Sequence, residues 1–194
     1  KNKIKYIVID KEPEGIVEEN DNPTFQRANS LKRIELSYDE HFNAIKNVDD
    51  NDFIMLSDND EIPNLDSEDF KKNKNNIVIF NQLFFYFKFN LLYDKMLWPG
   101  TKGCKKKNLK SFSWLRNIKF KKYPIWRIDT FFSKTKYTNL NIINNGGWHF
   151  TNLKTPEDMY EKFMNFGHHD EFKLSGITID KIKNKISNRE MFYD

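Results

Sequence analysis

The sequence predicts an α/β domain with a mixed, mainly parallel sheet flanked by helices, and three observations carry that reading. First, Ile4–Ile9 (IKYIVI), a helical pattern from Thr24 to Asn47, and Phe53–Leu56 (FIML) follow one another as strand, helix and strand. A parallel pairing of the two strands through a right-handed crossover is expected from such a βαβ unit. Second, Ile77–Phe89 (IVIFNQLFFYFKF) is strongly aromatic and β-prone. Third, two well-marked helix starts lie near the other end of the chain, at Thr155 and Thr178. At 194 residues the chain is one domain of ordinary size, large enough to bury a core rich in phenylalanine and tyrosine.

Each element has its own reason. Ile4–Ile9 is a short apolar run, and an acidic loop follows it to Asn22. Asn22-Pro23 supplies a cap and a proline at the first helical position. Phe25, Ala28, Leu31, Tyr38, Phe42, Ile45 and Val48 then recur on one helical face. Phe53–Leu56 stops abruptly at Ser57, as a buried strand in a parallel sheet does. Asp66–Lys72 reads as a short helix or turn. Leu91–Gly103, with Trp98-Pro99-Gly100-Thr101, reads as a loop, and a strand or short helix is expected near Phe112–Leu115. Asn144–Thr151 (NNGGWHFT) reads as a glycine turn and a short strand. Thr155-Pro156-Glu157-Asp158 combines cap, proline and first-turn acids, opening a helix that ends at Gly167. The last helix starts at Thr178 and carries Ile179, Ile182 and Ile186.

Composition narrows the function classes. No apolar run is long enough to span a bilayer, so no membrane span is expected. The single cysteine, Cys104, excludes an internal disulfide and fits a reducing compartment. With no visible signal peptide and no usable glycosylation acceptor, a cytoplasmic location is expected. The formal net charge is only +4, but it is unevenly spread. Asp49–Asp69 holds nine acids and no base, whereas Lys95–Arg127 holds eleven bases and no acid. Opposed blocks in one domain suit a metal with an anionic ligand, or plain solvated faces.

The chemistry concentrates in Asp52–Pro63 (DFIMLSDNDEIP). If the chain stays extended, Asp58 and Asp60 leave the backbone on the same side, because a strand repeats every two residues. Two converging carboxylates need a cation between them, and oxygen ligands suit Mg2+ or Mn2+. Such an ion keeps positions open for the phosphates of a nucleotide diphosphate. A solvated acidic turn is the competing reading of the same residues.

The succession SDNDEIP, Trp98-Pro99-Gly100-Thr101, an arginine-bearing aromatic stretch, GGWHF and FGHHDE resembles glycosyltransferase family 17. That family includes the β-1,4-mannosyl-glycoprotein β-1,4-N-acetylglucosaminyltransferases. The resemblance implies a GT-A-like fold with a D-x-D metal site, a Mn2+ or Mg2+ cofactor, a UDP-sugar donor (UDP-GlcNAc in the relatives) and a glycan acceptor. Family members usually carry sheet-forming sequence before the equivalent of Ile4–Ile9, so a fragment lacking its N-terminal strand is expected. On the family pattern Asp60 ranks above Asp58 as metal ligand, and His149 is the third ligand or a phosphate contact. A packed, hydrogen-bonded histidine is the alternative for His149.

Lys102, Lys105, Lys106 and Arg127 are the candidates for phosphate; the three lysines could instead serve solubility, whereas Arg127, among Trp126, Ile128 and Phe131, needs a partner if it is buried. Trp98 and Trp148 could stack on a sugar or fill the core. The resemblance also implies inversion at the anomeric centre, for which a single carboxylate base is needed, and Asp129, Glu61 and Asp158 are the candidates, with Asp129 favoured. Asp158 also suits a helix start, and the His168-His169-Asp170-Glu171 group suits either a second metal or a helix C-terminus. A metal-dependent phosphohydrolase or nuclease remains a rival, as does a non-catalytic carbohydrate- or nucleic-acid-binding module built on Phe112–Phe132. Nucleic acid is not the expected partner.

Overall fold

A computed structural model describes residues 4–17, 22–74, 76–165 and 169–192. It is a mixed α/β arrangement in which one curled sheet is flanked by helices. The sheet is built around β3 (Ile77–Tyr86), the aromatic stretch that composition singles out. One edge of β3 pairs antiparallel with β4 (Leu92–Lys105), and the other pairs parallel with β5 (Leu140–Ile143) and then with β6 (Gly147–Thr151). Outside β4 lies β1 (Phe53–Leu56), and outside β6 lies β2 (Glu61–Pro63), both antiparallel. Among the described residues three ladders are therefore antiparallel and two parallel. The expectation of a mainly parallel sheet is corrected accordingly.

Two strand assignments change with it. Residues 4–10 form no strand and join no ladder, and Ile4, Tyr6 and Val8 are exposed. The βαβ unit is thus not formed among the described residues. Phe53–Leu56 is an antiparallel edge strand and only half-buried, not the interior of a parallel sheet. The Leu91–Gly103 loop is in fact the sheet's longest strand, β4. Pro99 lies opposite Asn81, between two slips of the β3–β4 register, where a strand proline is best tolerated. Gly100 leaves room at the same place: a Cβ would displace the end of the buried Gln82 side chain and crowd Glu61.

β1 and β2 lie at opposite ends of the strand order, yet only Ser57 to Asp60 separate them in sequence. That short span forces the sheet to curl. Ser57 Oγ donates to the Glu61 carbonyl at 3.1 Å and bonds Thr101 Oγ1 of β4 at 2.7 Å, joining the two ends across the rim.

Helices cover the sheet in two groups. α1 (Pro23–Ala44) begins where predicted, with the Asn22 side chain accepting from Thr24 N. Only its second half packs inward: Tyr38 and Phe42 meet Phe112 and Leu115 of α3 (Phe112–Asn117) over Ile77, Ile79 and Cys104. Its first half leaves Phe25 and Leu31 exposed, and the segment before it lies against it through two bonds between Asn29 and the Val17 backbone. On the other side, α5 (Pro156–Asn165), α6 (His169–Leu174) and α7 (Ile179–Asn188) pack Met159, Phe163 and Ile182 on Phe84 and Tyr86. Each such fully buried side chain contributes roughly 1.5–3 kcal/mol. The short helix α2 (Glu68–Lys71) brings Phe70 onto Phe80, and another short helix, α4 (Asp129–Phe132), forms within the exposed 119–135 loop. The predicted caps of α5 and α7 form, with Asp158 N bonded to Thr155 Oγ1 and Lys181 N to Thr178 Oγ1. The predicted end of α5 at Gly167 lies outside the described residues.

Candidate functional site

The two motifs that carry the resemblance meet residue for residue. β2 pairs with β6 so that Glu61 faces His149, Ile62 faces Trp148 and Pro63 faces Gly147. The pairing needs Gly147: its φ is +107°, and a Cβ there would strike the Ile62 carbonyl. Phe150 N also donates to the Asp60 carbonyl at 2.8 Å, which carries the ladder up to the acidic pair.

The chain does not stay extended through Asp58-Asn59-Asp60. Glu61 N donates back to the Asp58 carbonyl at 3.1 Å, closing a turn. The expected same-side projection is therefore replaced by divergence. Asp58 Oδ2 pairs with Arg116 of α3 at 2.7 Å, while Asp60 Oδ2 lies 3.4 Å from His149 Nε2. Both still line one cavity of about 450 Å3, together with Trp98, Arg116, His149 and Lys162. A second cavity of about 530 Å3 adjoins it, lined by Asn59, Ile62, Phe89 and Phe150. Asp60, Asn152 and Lys162 line both.

His149 is 4% exposed, and its ring stacks on Trp98 at 4.4 Å and on Phe84 at 5.0 Å. Its Nδ1 is buried and has no hydrogen-bond partner among the described residues. Burial works against an ionised Asp60, but the hydrogen bond and charge of His149 outweigh it and hold the carboxyl below the usual aspartate range. Lys162, from α5, donates to Asn152 Oδ1 at 2.9 Å. Burial pulls its ammonium down, and nearby Asp60 partly restores it.

Glu61 stands behind the cavity wall. It accepts from Trp98 Nε1 at 2.9 Å, Thr101 Oγ1 at 3.3 Å and the Asp58 backbone at 3.2 Å. Burial pushes its carboxyl upward. These bonds fix Trp98 and the acidic turn, so Glu61 is placed as a positioning residue and not against the cavity. Lys102 is also turned inward, with Nζ donating to the Arg116 and Ile118 carbonyls at the end of α3. It anchors the helix that delivers Arg116, a different placement from a phosphate contact in the cavity.

The remaining candidates are placed elsewhere. Trp148 points to the outer face of the sheet, because successive residues of β6 alternate and His149 points inward. Arg127 and Asp129 pair with each other at 2.7 Å on an exposed loop, where Asp129 also meets Lys136. Neither lines the cavity of Asp58 and His149. Lys105 is exposed, and Lys106 lies over the Phe42 ring. Asp158 closes the helix cap with Thr155. His168 lies outside the described residues.

Sequence reasoning missed Arg116, Lys162 and Asn152. Arg116 carried one available signal, being with Arg127 one of two arginines in a block otherwise made of lysines. Lys162 and Asn152 carried none. Among the described residues no three His, Cys, Asp or Glu side chains converge as a metal cage. Asp60 and His149 instead form a two-donor set, and the lone buried imidazole nitrogen sits beside it. An ion held by that set would have to take its remaining positions from phosphate and water. No protein-family model, curated protein or solved structure matches the chain.

Proposed function

We propose that the protein is a metal-dependent glycosyltransferase that moves a sugar from a UDP-sugar donor to a glycan acceptor. The observation that carries this reading is the pair of cavities meeting at Asp60, Asn152 and Lys162. A transfer reaction needs two substrates held side by side, and alignment of that kind supplies much of the rate. The cavity with Arg116 and Lys162 is the donor side, since both cations can neutralise a diphosphate. The cavity with Phe89 and Phe150 is the acceptor side, offering aromatic faces to a sugar.

Asp60 and His149 would hold the Mn2+ or Mg2+ ion, which when bound acts as a Lewis acid on the leaving diphosphate. Asp58 keeps the Arg116 guanidinium directed at the cavity. Glu61 fixes Trp98 as a flat wall beside His149. Pairing of the DEIP and GWHF segments supports the likeness to glycosyltransferase family 17, and the transferred N-acetylglucosamine is proposed on that likeness.

A thermal-shift screen of nucleotide sugars with and without Mn2+ tests the reading. At a ligand concentration near 100 times Kd, stabilisation is ~2.7 kcal/mol. For a chain of this size that raises Tm by about 5–10 °C. The rise is expected for UDP-sugars with Mn2+ and is lost in Asp60→Asn. An equal rise in EDTA, or in Asp60→Asn, overturns the metal-linked donor site.

A further inference from the structure

One exposed loop combines apolar display with positive charge. Lys119 N donates to the Thr135 carbonyl at 2.9 Å, closing the excursion at its base. Inside it, Arg127 N bonds the Pro124 carbonyl, and Thr130 N and Oγ1 both bond the Arg127 carbonyl. Asp129 holds Arg127 and Lys136 together, and the Arg127 guanidinium lies 5.2 Å from the centre of the Tyr123 ring. Polar contacts therefore shape the loop. Its largest apolar side chains take no part in that: Ile125, Trp126, Ile128, Phe131 and Phe132 are 72–85% exposed. Five large apolar side chains so exposed within residues 125–132 call for an interaction to explain them.

The charge around the tip selects the partner. From Lys119 to Lys136 there are six bases and one acid, and that acid is already engaged by two of the bases. Lys119, Lys121, Lys122 and Lys134 are exposed. We propose that the 119–135 loop docks on an anionic lipid bilayer, with the apolar tip entering the headgroup region and the lysines meeting acidic headgroups. Apolar residues at the apex with lysines around them are the pattern of interfacial binding, where long lysine stems keep their charge at the surface. A single-stranded nucleic acid fits less well, because two of the five apical side chains are isoleucines that offer no ring for base stacking. A protein partner would need an apolar pocket ringed by acidic side chains, a more particular match than an anionic bilayer offers. No helix among the described residues is long and apolar enough to cross a membrane, so attachment through this loop would be peripheral.

Co-sedimentation of the full chain with phosphatidylcholine vesicles, and with vesicles of equal parts phosphatidylcholine and phosphatidylglycerol, is the test. Binding is expected only to the mixed vesicles and weakens as salt is raised. Exchange of Trp126, Phe131 and Phe132 for serine lowers affinity at least about tenfold. Lys121→Gln and Lys122→Gln each lower it about fivefold. All these side chains are exposed, so circular dichroism and Tm should stay at the wild-type values. Absence of binding to the mixed vesicles overturns the proposal, as does binding that survives both sets of changes. Displacement from the vesicles by a single-stranded oligonucleotide, lost in the serine variant, reassigns the loop to nucleic acid.

Discussion

Lys102→Met separates the anchoring of α3 from the chemistry of the cavity, and the expected outcome has a pH signature. Lys102 is 8% exposed, and burial and nearby Arg116 bring its ammonium down from 10.5 to about 8. Below about pH 8 both folded and unfolded chains hold the proton, and this residue gives stability no pH slope. Between about 8 and 10.5 the unfolded chain holds a proton that the folded chain has lost, so stability rises with pH. Taken in full, that gap is worth ~3 kcal/mol.

The neutral amine keeps two N–H groups, enough to serve both the Arg116 and Ile118 carbonyls. Methionine fills the space but leaves the two carbonyls unpaired, at ~1–3 kcal/mol each. Near pH 7 the loss is offset because no ammonium is buried, and the variant stays within ~2 kcal/mol of wild type. Near pH 10 the variant falls a further ~2–3 kcal/mol behind. Urea unfolding at the two pH values, followed by circular dichroism, reads this difference directly. Wild-type and Lys102→Met stability profiles that stay parallel between those pH values refute the reasoning.

Two further outcomes follow from the site. Gly147→Ala puts a Cβ into the Ile62 carbonyl and a side chain at φ +107°, so it is expected to cost at least ~2 kcal/mol and to lower Tm by several degrees in a thermal scan. Arg116→Met removes a pair whose side chains are each more than a third exposed, so stability changes by less than ~1 kcal/mol. UDP affinity should nevertheless fall about tenfold or more by calorimetry, because a diphosphate contact is lost.

Local signals in the sequence were sufficient for the helices and insufficient for the sheet. Asn22-Pro23, Thr155-Pro156 and Thr178 each place a side-chain oxygen where a helix start has unpaired N–H groups, and all three starts form. Those signals lie within a few residues of the element they mark. Strand pairing carries no such mark. Trp98-Pro99-Gly100-Thr101 looks like a turn until β3 slips register opposite it, and nothing near Phe53–Leu56 states that its partner is β4. Leu140–Ile143 was not anticipated as a strand at all, and it exists because β3 offers it a free edge.

The site divides along the same line. Asp58, Asp60 and His149 were legible because two short motifs marked them, and the fold brings them to one cavity. The alternation of β6 already separates Trp148 from His149, a rule available from the sequence alone. Arg116 and Lys162 were not legible. Each is an ordinary helical cation until α3 and α5 carry it to the same cavity from different sides of the sheet.

The most direct measurement is calorimetric titration of UDP into the protein with Mn2+ present and absent, in wild type and in Asp60→Asn. Binding is expected to require Mn2+ and to be lost in Asp60→Asn, while the variant's Tm stays close to wild type. UDP binding that is the same without Mn2+, or the same in Asp60→Asn, would contradict it.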